Sequence, residues 1–124
     1  MVEAQLEFAA ERFGTQLVVV LGHSFCGAVQ ATVEQLHQPT DNRSPNLYSI
    51  VDRIRPSVEK LLDLDLDDDA LLRAAVRANV RSSVQQLQHG SKILEQLILD
   101  GALHVVAAEY SLTTGMVEFF DGLM

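Results

Sequence analysis

Leu6, Phe8, Ala9, Ala10 and Phe13 recur at mostly helical spacing and predict a helix over residues 3–13, with Gly14 as its stop. The run QLVVVL (16–21) is short, β-branched and apolar throughout, which predicts a strand covered on both faces. Val29, Val33 and Leu36 then predict a helix from Cys26 or Gly27 to about His37. Residues 38–45 carry two of the chain's three prolines and read as an exposed loop. From about Asn46, Leu47, Ile50, Val51, Ile54, Val58 and Leu61 share one helical face, while Pro56 predicts a kink or break. The acidic stretch 63–69 reads as a solvated turn that supplies N-terminal charge to the next helix. That helix is predicted from Ala70 to about Gln88, with another from Ser91 to Asp100, stopped by Gly101. A second strand is predicted over 102–112, a turn at Thr113–Gly115, and a short third strand over 116–120. Strand, helices, strand predicts an α/β fold with a parallel sheet core and helices on its faces.

Composition narrows this picture. The 124 residues, 48% of them hydrophobic, suit one domain, 1–124, with one core. No apolar run reaches the ~18 residues that would span a bilayer. The N-terminal segment mixes Glu and Arg into its apolar pattern and has no signal-peptide core, so a cytoplasmic protein is expected. A net charge of −8 argues against nucleic acid and anionic membranes as partners. The single cysteine, Cys26, rules out an intrachain disulfide and leaves packing, thiol chemistry or metal binding.

Candidate chemistry gathers in GHSFCGA (22–28), where the first strand gives way to a helix. Open α/β sheets place their sites at such carboxyl ends of strands. Gly22 is expected to let the chain leave the strand at an unusual φ, and Gly27 to permit close backbone approach at the helix start. His23 and Cys26 then project from one turn toward a common point, and imidazole with thiolate suits zinc. The H-x-x-C spacing alone is a weak signal and better describes a buried structural cysteine beside a hydrogen-bonded histidine.

The wider sequence, EAQLEFAAERFGTQLVVVLGHSFCGAVQA (3–31), resembles the β-class carbonic anhydrases, in which a strand ends in G-H-x-x-C-G. The resemblance continues at ANVRSSVQQL (78–87) and SKILEQLILDGALHVVAAEYSLTTGMVEFF (91–120), and so covers nearly the whole chain. It implies a zinc cofactor with His23 and Cys26 as ligands, Gly27 shaping the substrate side of the turn, and carbon dioxide and bicarbonate as reactants. It also implies a short antiparallel edge strand at the C-terminus. One departure lies in the second strand, where the family's V-G-A is Val106, Ala107 and Ala108; the extra methyl must be absorbed or crowd a helix.

A larger departure concerns the ligand set. The family carries C-x-D-x-R on an earlier strand; its cysteine is the third zinc ligand, and its Asp–Arg pair orients the reacting water. These 124 residues contain neither that motif nor a second cysteine, so the expected fold is an incomplete version of the family's, lacking its N-terminal strands. The remaining candidates to complete the set are His37, His89 and His104, each of which has a structural explanation instead, and Glu109 or Asp100, candidates for a strand end that spacing alone does not place. With two of three protein ligands, weak or partial zinc occupancy and no catalytic residue set are expected. Three functional readings follow: a homologue inactive as an isolated chain, one half of an enzyme completed by another chain, or a non-catalytic assembly module. Without the earlier strands, 16–21 becomes a bare sheet edge, which predicts a homodimer or higher homo-oligomer.

Overall fold

A computed structural model of the chain describes residues 2–39 and 44–122; the centre of the predicted 38–45 loop lies outside them. Nine segments follow one another among the described residues. Helix α1 (Val2–Phe13) leads to strand β1 (Leu17–His23) and helix α2 (Gly27–His37). Helix α3 (Pro45–Val58) runs into a 3-10 segment, Glu59–Leu64, before the long α4 (Asp68–His89) and the short α5 (Lys92–Leu99). Strands β2 (His104–Tyr110) and β3 (Val117–Asp121) complete the chain.

The sheet has the order β1-β2-β3. β1 and β2 pair in parallel from Leu17 opposite His104 to His23 opposite Tyr110. β3 returns antiparallel on β2, with an irregularity between Ala107 and Ala108. The parallel pair and the antiparallel edge are those expected from the sequence.

Helix α4 organises the interior because its apolar residues serve two neighbours. Val80, Val84 and Leu87 pack with Leu94, Leu103, Val105 and Ala107 between the helices and the sheet, where Val18 and Val20 of β1 join them. One turn earlier, Ala75 and Val76 pack with Val29 of α2 and with Ile54 and Val58 of α3. Ala107 is fully buried in the first of these clusters, so the methyl that departs from the family pattern is absorbed beneath α4.

Several expectations are corrected by this packing. β1 is not covered on both faces: Leu17, Val19 and Leu21 stand 54%, 40% and 55% exposed, while Val18 and Val20 face the core. An apolar run encodes a strand but not which face a neighbouring layer will cover. Of the α3 face, Val51, Ile54 and Val58 are buried, whereas Leu47 and Ile50 remain exposed. Pro56 does not break α3, which runs on to Val58 before tightening into the 3-10 segment. Placed in the last turn, a proline deletes one hydrogen bond rather than interrupting a long ladder. Helix α4 starts two residues early because Asp67 caps it, its Oδ1 accepting from the Ala70 N–H at 2.7 Å. β2 is shorter than predicted: the N–H groups of Ala102 and Leu103 both bond back to the Leu97 carbonyl, at 2.9 and 3.2 Å, and so belong to the end of α5.

Candidate metal centre

The site forms where β1 delivers His23 at its last position and α2 begins four residues later at Gly27. Both parallel strands end here, so the turn is open to solvent on one side and backed by α4 on the other. His23 is exposed and Cys26 half-buried. The two line one cavity of about 180 Å³ together with Gly22, Val29, Val76, Asn79 and Val80. The sequence-predicted pair is thus brought to a single hollow.

Donor chemistry decides whether a metal suits that hollow. His23 Nδ1 lies 2.9 Å from the carbonyl oxygen of Ser24. A carbonyl only accepts, so Nδ1 carries a proton, and in the neutral ring that tautomer leaves the lone pair on Nε2. Metal-ligating histidines commonly spend their second nitrogen in this way. Cys26 occupies the N-cap position of α2, and its side chain makes no cap hydrogen bond. One free imidazole nitrogen and one uncommitted sulfur fit zinc as two donors.

Two glycine expectations are corrected. Gly22 does not take a left-handed φ; its need is space, since a Cβ placed there would meet Val80 Cγ2 at 2.5 Å. Gly27 has nothing within 4 Å of a built Cβ, so close backbone approach does not explain it. The left-handed residue of the turn is Phe25, at φ 57°, a conformation that costs a bulky residue about 1–2 kcal/mol. Neither Phe25 nor Ser24 drew attention in the sequence, because nothing in residue type marks a phenylalanine for positive φ.

Val80 is stiff and only 4% exposed, so it cannot swing clear of a larger residue at position 22. Gly22→Ala is therefore expected to destabilise the fold by about 1–3 kcal/mol, the range for overpacking. Val80→Ala in the same chain should recover part of that loss, measured as a coupling in urea unfolding. Additive losses from the two substitutions would show that the contact is not the reason for glycine.

The other candidate ligands lie elsewhere. His104 pairs with Leu17 at the opposite end of the strands, about 20 Å from the level of His23. His37 and His89 close α2 and α4, and Asp100 follows α5, where it accepts from Gln96 Nε2 at 2.9 Å. Glu109 does reach the right end of β2, opposite Gly22. Its carboxylate, however, accepts from Arg77 Nε at 2.9 Å, and Arg77 also donates to Glu118 at 2.8 Å while stacking on Phe120. These bonds, that to Glu109 foremost, raise the guanidinium's pKa further and tie α4 to β2 and β3. Among the described residues, no group of three or more His, Cys, Asp or Glu is placed to hold a metal ion. None of the described helices is long and apolar enough to cross a membrane.

A cleft of about 650 Å³ adjoins the same turn on its other side, reached past Ser24 and Phe25 and floored by Leu72, Val76 and Met116. It does not include His23 or Cys26.

A family model described as carbonic anhydrase matches residues 1–117. A carbonic anhydrase of Mycolicibacterium smegmatis is 33% identical over 113 residues, covering 91% of this chain and 53% of the relative. Carbonic anhydrase 2 of Mycobacterium tuberculosis is 32% identical over 120 residues, covering 94% and 54%. The chain spans about half the length of the curated relatives it matches. In fold it resembles the crystal structure of the β-carbonic anhydrase CafA of Aspergillus fumigatus, with a TM-score of 0.80 at 22% identity, over 99% of this chain and 57% of that one.

Proposed function

The chain belongs to the β-class carbonic anhydrase family, and on that premise we propose that its β1–α2 turn is a zinc turn supplying two protein ligands, His23 Nε2 and Cys26 Sγ. Carbon dioxide hydration is the reaction the site serves when its ligand set is complete. The observation that supports this reading is the hydrogen bond from His23 Nδ1 to the Ser24 carbonyl, which in the neutral ring puts the lone pair on Nε2, with an uncommitted sulfur at Cys26. Zinc bound there supplies the acidity that brings water's pKa toward neutrality. The chain's own residues hold the two donors, and Gly27 leaves the substrate side of the turn open. Two donors and no orienting carboxylate make a polypeptide of these 124 residues an incomplete enzyme.

Zinc stoichiometry tests the ligand count. Affinities of ~10–16 kcal/mol belong to full sets of protein ligands, and two donors are expected to hold zinc no tighter than micromolar, about 8 kcal/mol. Gel-filtered protein should carry well under one zinc per chain, and Cys26→Ser should remove even that. Stoichiometric zinc that survives mild chelation would point to a further ligand from within the chain or from a second copy.

A second reading is favoured by one feature, the long edge of β1, which among the described residues pairs with β2 on one side only. Another chain seated on that edge would lie beside the zinc turn, so this edge supports both a split enzyme completed in trans and an assembly module. A second copy of this chain is the simplest occupant.

A further inference from the structure

Ser24 makes three hydrogen bonds in three directions. Its N–H donates to the Tyr110 carbonyl at 3.0 Å and extends the β1–β2 ladder past His23. Its Oγ accepts from the Leu112 N–H at 2.8 Å, at the start of the turn between β2 and β3. Its carbonyl accepts from His23 Nδ1. The next residue, Phe25, has a left-handed φ, so the peptide that carries this carbonyl would relax if it were free to do so.

We propose that Ser24 is a positioning residue for the metal turn: its hydroxyl fastens the turn to residue 112, and this holds its own carbonyl where it takes the His23 Nδ1 proton. The inference rests on the reading of His23 as a metal ligand. The chain of dependence runs from the β2–β3 turn, through Ser24 Oγ, to the carbonyl and then to the imidazole tautomer. That turn is itself braced. The Ser111 N–H donates to the Met116 carbonyl at 2.9 Å, and the Thr114 N–H to Ser111 Oγ at 3.2 Å. A rigid hairpin end some ninety residues away in sequence thereby sets the direction of Nε2. Histidine side chains in water favour the tautomer protonated on the other nitrogen, so a loosened carbonyl would turn the lone pair away from the metal position.

The test compares the chain with Ser24→Ala and with the isosteric pair Ser24→Thr and Ser24→Val, which differ in the hydroxyl and not in shape. In metal-free protein at about pH 8.5, where imidazole is neutral, nitrogen NMR should find His23 protonated on Nδ1 in the unaltered chain and in Ser24→Thr. Ser24→Ala and Ser24→Val should shift His23 to a mixture of tautomers and speed hydrogen exchange at the Leu112 amide. Cobalt(II) titration, followed by its thiolate charge-transfer band, should show a dissociation constant raised about tenfold in the same two variants, the low end for partners beyond the ligands. An unchanged tautomer and unchanged cobalt affinity in Ser24→Val relative to Ser24→Thr would overturn the proposal. If the tautomer responds as stated but no variant, nor the unaltered chain, gives a cobalt–thiolate band, Ser24's hold on the ring stands and the metal reading fails.

Discussion

Assayed alone, a polypeptide of these 124 residues is expected to hydrate carbon dioxide at the uncatalysed rate, with or without added zinc. A catalytic zinc site combines three protein ligands with an open position. On the proposed reading His23 and Cys26 supply two, and a further carboxylate at this end of the sheet, Glu109, is held by Arg77 at 2.9 Å. Its release would break the ion pair that ties α4 to β2. Saturating zinc therefore fills the two-donor position without a carboxylate to direct the reacting water, and each ~1.4 kcal/mol of missing transition-state stabilisation costs a factor of ten. Stopped-flow measurement of proton release decides the matter. A rate well above background that Cys26→Ser abolishes would mean that the ligand set is completed in a way that the monomer's geometry does not reveal. The same assay repeated with a second polypeptide carrying C-x-D-x-R separates a split enzyme, which gains activity, from a non-catalytic module, which does not.

The strand-to-helix turn that carries His23 and Cys26 was legible in the sequence because its signal is local. A β-branched run, a glycine, and donors three residues apart at a helix start all sit within one short stretch. The long periodic helices were legible for the same reason, as were the stops at Gly14 and Gly101, which take φ of 64° and 75°. What escaped depends on residues far apart in the chain. That Gly22 is needed for Val80, that Ser24 is held by Leu112, and that Glu109 is occupied by Arg77 are facts of packing between β1, α4 and the β2–β3 turn. The identical-looking valines of β1 divide into a buried and an exposed row only once α4 has chosen a side of the sheet. Boundaries shifted where a side chain rather than a periodicity set them, as at Asp67, whose cap begins α4 ahead of its apolar pattern.

The exposed row of β1 leads to the second large effect: at micromolar concentration the chain is expected to be a dimer, and Val19→Lys a monomer. β1 pairs with β2 along one side, and its other side presents a seven-residue edge with neither proline nor lysine to blunt it. Such an edge is a template for another strand. A two-fold contact satisfies both copies at once, and antiparallel pairing centred on Val20 sets Val19 opposite Leu21 of the second copy and Leu17 opposite His23. The exposed apolar rows then run together into one stripe across the joined sheets, each row shielding part of the other. Side chains directly opposite in such a pair contribute roughly 0.2–1 kcal/mol each, and the backbone bonds of the new ladder add to this. Val19 is 40% exposed and lies on the side away from α4, so a lysine there should leave the monomer's core intact while placing charge in the middle of the edge. The same geometry has a consequence for the metal site. Antiparallel strands send the two His23–Cys26 turns to opposite ends, about 20 Å apart at 3.4 Å per residue, so neither copy completes the other's ligand set. Sedimentation across a dilution series, with zinc analysis on each species, reads both points. A compact wild-type monomer at micromolar concentration would show that the edge is shielded within the chain, and a dimer holding one tight zinc would show that the strands meet in another register.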